Sequence, residues 1–354
     1  MSKLKIEWIC RNCGFRSDFW SRYYWRCPIC GSPLEIEYKK SFEPESGRGM
    51  IRYSSMLPMK PEKNIGEGDT PLIIENIDGR KILFKLEYLN PGGSFKDRGS
   101  SLAVYYAYKT GYKTVVEDTS GNTGISVSLY SRIYGLKTKI FMPKTAPEGK
   151  KRLVKKLGAE VVETEDRARA SEEVLKYVSE SFYVAHTWNY LYVLGASTIS
   201  YEVYEEYGPP DLVITPIGSG GLFLGLVKGF EELYKLGRIS RMPRFIGVQG
   251  YNVQPVYEAL KGYKEVGENS SLADGIMVRN PPRLQEIIEK IRLYNGEVIL
   301  VGNSEIEKAL ERLLDLGFII EPTSATVYAA YEKIKNKIDE KTILMPLTGS
   351  GLKI

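Results

Sequence analysis

The chain has 354 residues, which is enough for one large domain or a few smaller ones with a substantial apolar core. Its net charge of +5 is small against 49 basic and 44 acidic residues, so composition gives no reason to expect a nucleic-acid or membrane partner. The single histidine excludes a histidine-rich metal site, and any histidine-based nucleophilic catalysis has to use that one residue. The N-terminus lacks the apolar stretch of a signal peptide and no window is long enough to span a bilayer, so we expect a cytoplasmic protein.

The first element is a cysteine module over residues 1–40. Two Cys-x-x-Cys pairs, each followed by glycine, occur thirteen residues apart at Cys10, Cys13, Cys27 and Cys30. Such turns aim two sulfurs at one centre, and two turns together are typical of a zinc ribbon with a closed, structural metal site. Two disulfides or a redox Cys-x-x-Cys are the alternatives. A reducing compartment disfavours the disulfides. A redox Cys-x-x-Cys would normally begin a helix that follows a strand.

Aromatic and basic residues surround these cysteines in "FRSDFWSRYYWRC". They suit stacking on nucleic acid, and they suit equally the small core of the ribbon and its contact with the next domain. A non-catalytic zinc-ribbon binding protein is therefore a separate hypothesis. No basic stripe supports it, and we expect no nucleic-acid partner.

The remaining chain alternates short strands with helices. Residues 41–70 are rich in Pro, Gly and charge and indicate a linker. Eight β-branched runs follow, most of them separated by helical patterns, which predicts a mostly parallel α/β sheet. For the helix after residue 303 we predict a capping box of Ser304 and Glu307 and an end at Gly317. The predicted strands are KILFKLE, KTVVED, KTKIFMP, AEVVET, DLVITPI, RFIGVQG, EVILVG and KTILMPL.

Four polar, glycine-rich loops fall at predicted strand ends, where open α/β sheets build their sites. "NPGGSFKDRGS" places Lys96 at the entry of a helix, and "EDTSGNTGIS" offers hydroxyls and an amide at the start of the next one. "TPIGSGGLFLG" has the glycines to wrap backbone amides around a phosphate. It lacks the Gly-Lys-Ser/Thr end of a P-loop, and Phe223 takes the place of the third glycine of a dinucleotide fingerprint. The fourth loop is "PLTGSGLK".

A cradle for one phosphate, a lysine at a strand-to-helix junction and the lack of a usable histidine or cysteine together favour a phosphorylated cofactor held by a Schiff base. Pyridoxal 5'-phosphate fits this description. A lysine amine forms an imine that a substrate amine can displace, and the released amine then carries protons.

Six motifs then identify a family resemblance. "GDTPL", "SFKDRG", "TSGNTG", "PIGSGG", "EPTSA" and "LTGSGLK" occur in order. With these motifs the chain resembles the pyridoxal-phosphate enzymes of the tryptophan-synthase-β type, and among them the threonine synthases. The resemblance runs from about residue 5 to the C-terminus, since some members also carry a zinc ribbon.

The resemblance implies an α/β fold of type II, with two subdomains of mostly parallel sheet and flanking helices after the ribbon. The domains would be a ribbon over 1–40, a linker with the first part of the large domain over 41–95, a smaller mobile subdomain over 96–190, and the remainder of the large domain over 191–354. A homodimer is implied as well.

The resemblance also implies a role for each matching residue. Lys96 would form the Schiff base, Phe95 would pack near the cofactor ring, Asn122 would bond the phenolic oxygen and Thr348 would face the pyridine nitrogen. The cofactor phosphate would be held by Gly218, Ser219, Gly220 and Gly221. The substrate carboxylate would be bound by Thr119, Ser120, Gly121 and Thr123.

The implied enzyme is a carbon–oxygen lyase that converts O-phosphohomoserine and water to threonine and phosphate. The sequence departs from the family pattern at Ser350, where a histidine is usual, and in residues 182–198, where asparagine and arginine usually meet the substrate phosphate. That segment supplies His186 and Asn189 and no arginine. Threonine or serine dehydratase and O-phosphoserine-dependent cysteine or cysteate synthase are therefore open alternatives.

Overall fold

The computed structural model describes residues 5–353, so the first four residues of the predicted ribbon and Ile354 lie outside the described part. The strands, in chain order, are β1 (Glu7–Ile9), β2 (Arg16–Asp18), β3 (Glu35–Glu37), β4 (Leu72–Ile77), β5 (Arg80–Lys85), β6 (Thr114–Asp118), β7 (Lys137–Pro143), β8 (Glu160–Thr164), β9 (Phe182–Tyr183), β10 (Leu212–Pro216), β11 (Arg244–Gly250), β12 (Glu297–Val301) and β13 (Thr342–Pro346).

The α-helices fill most of the intervals between the strands of the two larger sheets. They are α1 (Lys96–Lys109), α2 (Asn122–Ile133), α3 (Glu148–Lys156), α4 (Arg167–Val174), α5 (Tyr190–Glu206), α6 (Gly221–Lys235), α7 (Pro255–Lys261), α8 (Leu284–Leu293), α9 (Asn303–Asp315) and α10 (Pro322–Ile334). Short 3-10 helices add single turns between them, the longest being Met50–Met56.

The chain divides into two compact units, each made of more than one segment. The first unit contains the described residues up to Gly68, then Asn90–Gly195 and Lys353. The second contains Asp69–Leu89 and Ala196–Leu352. That residues 96–190 form a mobile subdomain stays a prediction.

The first unit holds two sheets. The ribbon sheet is antiparallel, with strand order β2-β1-β3. The larger sheet has the order β8-β7-β6-β9 and is parallel throughout, so the carboxyl ends of its four strands share one edge. Loops that follow parallel strands at this edge are where α/β proteins place ligands.

Aromatic side chains fill the small core beneath the ribbon. Trp8 and Phe19 are buried, and the Trp8 ring lies 5.0 Å from Phe19 and 6.0 Å from Tyr106 of α1, centroid to centroid. The Trp20 ring stacks on the same tyrosine at 5.6 Å. These rings are used in packing within the unit, which removes the main support for the nucleic-acid hypothesis.

The second unit is built on a six-stranded sheet of order β12-β11-β10-β13-β5-β4. All neighbours run parallel except β4, which pairs antiparallel with β5 at the edge. Its core combines inward-facing residues of the central strands with α9 and α10, including Phe84, Ile246 and Tyr331. The α/β fold class with mostly parallel sheets is confirmed.

All eight predicted strands are present, and most of them are β-branched runs with buried residues, although β8 is largely exposed or half-buried. The strands that were not predicted are the three of the ribbon sheet, β1, β2 and β3, together with β4, whose residues are all partly or fully exposed, and the two-residue β9. The capping box of Ser304 and Glu307 is wrong. The N-cap of α9 is Gly302, whose N–H donates to the Glu305 carboxylate at 2.9 Å, while the Ser304 hydroxyl bonds Glu268. Gly317 follows the helix with φ +85°, as a helix stop requires.

A buried ion cluster ties β5 to α5 in the second unit. Lys85 is fully buried, and its Nζ lies 3.0 Å from both the Glu202 and Glu206 carboxylates. It also donates to the Thr70 carbonyl. Because Glu202 is itself buried, the cluster is sensitive to loss of its single central cation.

We expect Lys85→Met to lower the free energy of unfolding by about 3–5 kcal/mol, since it removes the cation that neutralises the buried Glu202 carboxylate. Urea denaturation followed by circular dichroism measures the change. Lys81→Met on the same strand is the matched control, because Lys81 is exposed and its ammonium lies over the Tyr207 ring; its effect should stay below about 1 kcal/mol. Equal effects of the two variants would contradict the assignment.

Within residues 5–353, no helix has the length and apolar character needed to cross a membrane.

Candidate functional site

Lys96 stands at the end of a tight turn and is the first residue of α1. The Gly93 N–H donates to the Asn90 carbonyl at 2.7 Å, and the positive φ of Gly93, +76°, suits glycine. Asp97 is buried, and its carboxylate accepts from the Gly92 N–H and from the Ser126 hydroxyl. Asp97 therefore fixes the turn from inside, and the position of the lysine backbone is set by it.

The Lys96 side chain is half-buried, and its Nζ lies 4.9 Å from the centroid of the Phe95 ring. Beside it, the Ser94 hydroxyl is buried and has no hydrogen-bond partner among the described residues. The positive charge of Lys96 also acts on Glu117 and His186. An amine, an aromatic face and an unused hydroxyl thus occupy one corner of the first unit.

The loop after β6 carries the predicted substrate-binding residues. The Thr119 hydroxyl accepts from the Gly121 N–H at 3.1 Å, which closes the turn. The next helix, α2, begins at Asn122 with Gly121 as N-cap and no side-chain cap. No side chain caps this helix N-terminus, which is the kind of place where an anion binds, and a substrate carboxylate there stays a prediction. Thr123 is buried in the first turn of α2.

Two cations at the same sheet edge were not predicted. The position of a Cβ on Gly121 would lie 3.1 Å from the Nζ of Lys150, a buried residue of α3. Arg167, the first residue of α4, donates from Nη2 to the Ser120 hydroxyl at 2.5 Å. The signal for both was their place just after β7 and β8, since those strands end at the same edge as β6.

Lys353 connects the two predicted loops of the first unit and was also missed. Its Nζ donates to the Gly93 carbonyl at 2.6 Å and to the Asn122 side-chain oxygen at 2.9 Å. It therefore orients the Asn122 amide and holds it against the turn that precedes Lys96. The signal was the final lysine of "LTGSGLK".

The segment after β9 brings His186 to the same edge. Its Nδ1 is hydrogen-bonded to the Glu117 carboxylate, a fully buried group in β6. The Asn189 amide is engaged by protein groups: it donates to the Val184 carbonyl at 3.0 Å and to the Tyr23 hydroxyl at 3.2 Å, and its oxygen accepts from the Leu191 N–H. A substrate contact by Asn189 stays a prediction that requires one of these bonds to break.

In the second unit, the glycine-rich loop leads directly into α6. A Cβ on Gly218 would lie 2.8 Å from the Gly275 carbonyl oxygen, and Gly220 has φ +91° with Ile287 against it. Close approach and backbone angle therefore require glycine at both positions. A Cβ on Gly221 would meet nothing within 4 Å, and no side chain caps α6. The loop presents an uncapped helix N-terminus with open space in front of it, as a phosphate needs.

The last predicted loop of the second unit packs against "EPTSA". The Thr348 and Ser324 hydroxyls are buried and lie 3.0 Å apart, and Ser324 also accepts from the Gly349 N–H. The Ser350 hydroxyl accepts from the Leu352 N–H at 3.2 Å, so it orders the final turn. Thr348 is thus held in one orientation by a second hydroxyl.

The four cysteines converge as predicted. All four Sγ atoms lie within 4.8 Å of one another, with Cys10 and Cys30 at 3.5 Å and Cys13 and Cys27 at 3.4 Å. A tetrahedral zinc site with Zn–S bonds of about 2.3 Å places sulfurs about 3.8 Å apart. Both turns also have the expected left-handed glycine, Gly14 and Gly31.

Relatives with assigned names are similar to this chain over most of its length. A threonine synthase of Methanocaldococcus jannaschii is 31% identical, over 97% of this chain and 92% of its own length. Those of Synechocystis sp. and Halalkalibacterium halodurans are each 30% identical over 86% of this chain, and over 83% and 90% of their own lengths.

Solved structures with the same fold include enzymes of other names. A serine racemase from Dictyostelium discoideum superposes with TM-score 0.66 at 27% identity, covering 79% of this chain and 92% of its own. An O-acetylserine-dependent cystathionine β-synthase from Helicobacter pylori gives TM-score 0.69 at 24% identity, covering 81% and 94%, and shows the fold alone. Residues 64–349 match the family model described as pyridoxal-phosphate dependent enzyme. Because this match covers most of the chain, the chain belongs to the pyridoxal-phosphate-dependent enzyme family.

Proposed function

We propose that the chain is a carbon–oxygen lyase of the threonine-synthase kind, which converts O-phosphohomoserine and water to L-threonine and phosphate. The observation that carries the proposal is the edge of the β8-β7-β6-β9 sheet. There Lys150 and Arg167 lie beside the uncapped N-terminus of α2, and the charges of Arg167 and Lys96 both act on His186. A substrate with one carboxylate and one phosphate requires two anion sites close to the reacting amine. The relatives named above support the same substrate class.

The residues present fit the cofactor. In the second unit, Gly218, Ser219, Gly220 and Gly221 offer backbone N–H groups and open space to a phosphate, and Thr348 offers a hydroxyl to a ring nitrogen. In the first unit, we assign Lys96, Phe95 and Asn122 to the cofactor. When bound, pyridoxal phosphate withdraws electrons from the substrate α-carbon and so acidifies its neighbouring C–H bonds.

The first unit then supplies the proton transfers and substrate contacts. The Lys96 amine takes protons from Cα and Cβ of the substrate and returns them, because it is the amine at the head of α1 and its backbone is fixed by Asp97. The N–H groups at the start of α2 and the hydroxyls of Ser120 and Thr123 bind the substrate carboxylate. A hydroxyl at Thr348 leaves the ring nitrogen neutral, which favours elimination and replacement over transamination.

Arg167 takes the role of the arginine that residues 182–198 lack. It reaches the Ser120 hydroxyl from the start of α4, and Lys150 approaches Gly121 from the other side. A guanidinium and an ammonium around one loop stabilise a phosphate dianion before and after it leaves Cγ. We therefore place the substrate phosphate between α3 and α4.

We also propose that Cys10, Cys13, Cys27 and Cys30 bind one structural zinc ion, and that the chain forms a homodimer. The convergence of the four sulfurs supports the first statement. Family resemblance supports the second, and sedimentation analysis tests it.

The experiment that decides the substrate is product analysis with four separate substrates: O-phosphohomoserine, threonine, serine, and O-phosphoserine with sulfide. We expect threonine and inorganic phosphate in equal amounts from the first and slow or no reaction with the others. Cysteine from O-phosphoserine, with no threonine from O-phosphohomoserine, overturns the specific assignment in favour of a cysteine synthase.

We expect Arg167→Gln to lower kcat/KM for O-phosphohomoserine by about 10- to 100-fold, mainly through KM, because a charge-assisted hydrogen bond contributes about 1.5–3 kcal/mol. Steady-state phosphate release measures both constants. The matched control is Arg169→Gln on the same helix, whose exposed guanidinium pairs with Glu172 and Glu173. We expect the control to retain wild-type constants, and an unchanged KM in the Arg167 variant would show that the phosphate binds elsewhere.

A further inference from the structure

The hydrogen-bonded pair of Glu117 and His186 is not used in the reaction outlined above. Glu117 lies near the carboxyl end of β6 with no exposed side-chain surface, and His186 follows the neighbouring strand β9. The histidine is the only one in the chain, and 15% of its side chain is exposed. Burying a carboxylate beside a partly exposed imidazole costs desolvation free energy on folding, so a functional role for the pair is worth considering.

A purely structural role does not account for the contacts. A structural pair would satisfy both carboxylate oxygens, but Glu117 Oε2 is buried with no hydrogen-bond partner in the described chain. The segment is also strained, since Ala185, directly before the histidine, has φ +49°, a left-handed conformation that is unfavourable for a non-glycine residue. The fold therefore accepts strain and an unsatisfied oxygen to place this imidazole at the sheet edge.

The surroundings keep one shared proton on the pair and no net charge. Burial, and then the nearby Asp118, raise the pKa of Glu117 well above its ordinary value, against the opposing effects of Lys96 and the backbone N–H groups of His186 and Ala185. Burial, and then the charges of Lys96 and Arg167, lower the pKa of His186 well below its ordinary value. Both shifts favour a protonated carboxyl beside a neutral imidazole.

The hydrogen positions follow from the contacts. Because Oε2 has no acceptor nearby, the carboxyl proton is best placed on Oε1, where Nδ1 accepts it. A neutral imidazole that accepts at Nδ1 carries its own hydrogen on Nε2. The Nε2–H then belongs to the edge of the ring that Glu117 does not contact.

We propose that Glu117 and His186 form an acid–base pair that gives the Nε2 proton to the departing substrate phosphate and later takes a proton from the water that adds to Cβ. The inference rests on the proposed function. When the Cγ–O bond breaks, its electron pair leaves on the phosphate oxygen, which accepts the Nε2 proton. As Nε2 gives up its proton, Nδ1 takes the carboxyl proton of Glu117, which leaves a neutral imidazole beside a carboxylate. When the water oxygen bonds to Cβ, one O–H bond breaks and its proton returns to Nε2, while the Nδ1 proton returns to Glu117, which restores the pair.

Arg167 and Lys96 are suited to assist this cycle. Both cations act on the imidazole, and they stabilise the pair most when it has given up its proton and is negatively charged. The edge of the Tyr192 ring borders the imidazole at 6.0 Å between centroids. The titratable groups whose charge acts on the pair or responds to it are Lys96, Arg167, Asp118, Tyr23, Tyr183 and Tyr192.

The first test uses the fact that the chain has a single histidine. Nitrogen-15 labelling of histidine in the full-length protein gives one imidazole, whose two nitrogen shifts report which nitrogen carries the hydrogen. We expect a neutral ring with hydrogen on Nε2 at neutral pH, and a shift of the Nε2 signal on titration with inorganic phosphate. A ring with hydrogen on Nδ1 and a bare Nε2 would overturn the proposal, whatever the substrate proves to be.

The second test separates proton transfer from damage to the site. We expect His186→Gln to lower kcat for threonine formation by about 100-fold or more, and Glu117→Gln to lower it by at least about tenfold. Both variants should still exchange the Cα and Cβ hydrogens of norvaline, which has no leaving group, with solvent deuterium at rates within about threefold of wild type, because Lys96 performs that exchange. Equal losses of exchange and turnover would indicate a structural role and overturn the proposal.

These outcomes also distinguish this inference from the proposed function. If wild-type protein makes no threonine, the substrate assignment fails, and the position of the imidazole hydrogen still tests the pair. If threonine is made and His186→Gln retains wild-type kcat, the pair is not used and the substrate assignment stands.

Discussion

Lys96→Ala is expected to yield a colourless protein that folds normally and makes threonine at least about 10⁴-fold more slowly than wild type, because one amine both carries the cofactor and moves the substrate protons. Borohydride treatment of the wild type should remove its visible absorbance and attach the reduced cofactor irreversibly to the peptide containing Lys96. Mass spectrometry of the digested protein identifies the modified residue. A wild-type protein that takes up no pyridoxal phosphate would overturn the cofactor assignment.

Two matched variants show whether the effect belongs to the amine. Lys96→Arg keeps a positive charge at the head of α1 and cannot form the same bond, so it should be as inactive as the alanine variant. Lys109→Ala removes the last lysine of the same helix, where the side chain is half exposed and pairs with Glu62. That variant should bind cofactor and turn over normally. Labelling of a different lysine would show that the site lies in another loop.

The fold followed from local sequence because its central strands are buried on both faces. Runs such as "DLVITPI" and "KTILMPL" are apolar without interruption, which only a covered parallel sheet explains. The edge strand β4 was missed although four of its six residues are apolar; none of them is fully buried, and the strand pairs antiparallel at the edge of the sheet. The end of α9 was predicted from Gly317, but its start was misplaced by two residues because a glycine N-cap has no side chain to recognise.

The site was predicted only where the backbone conformation is unusual. Glycines and hydroxyls at strand ends identified the loops around Lys96, Asn122 and Gly221, since few structures need such clusters. Lys150, Arg167 and Glu117 were missed because charged residues at helix starts and strand ends are ordinary on a solvated surface. Only the strand order β8-β7-β6-β9, which sequence patterns do not specify, brings them together.

If the four cysteines bind zinc as proposed, removal of the ion is expected to unfold the ribbon and to weaken catalysis as well. Structural zinc contributes about 10 kcal/mol or more to small cysteine modules at neutral pH, and the rings beneath this ribbon are too few to replace it. Cys10→Ser should therefore lower the zinc content from one ion per chain to none. It should also shift tryptophan fluorescence to longer wavelength as Trp8 becomes exposed.

The four single variants distinguish a metal site from disulfides. Serine at Cys10, Cys13, Cys27 or Cys30 should give the same loss of zinc, since each removes one of four equivalent ligands. Disulfides would instead leave no free thiol in the wild type and one free thiol in each variant, and zinc content would be near zero in the wild type. An unchanged zinc content in Cys10→Ser would rule out these four ligands.

The catalytic effect of zinc removal follows from contacts between the ribbon and the segment that carries His186. The Tyr23 hydroxyl donates to the Tyr183 carbonyl at 2.8 Å, and the Trp25 ring lies 5.5 Å from Tyr183 and 5.4 Å from Trp188, centroid to centroid. These contacts pack the ribbon against the residues on both sides of the strained turn at Ala185. Loss of the ribbon should relax that turn, so kcat for threonine formation falls by about tenfold or more. Borohydride should still label Lys96, because this residue begins α1 and its backbone position depends on Asp97 instead. Full activity in a zinc-free protein would mean that the segment around His186 holds its conformation without the ribbon.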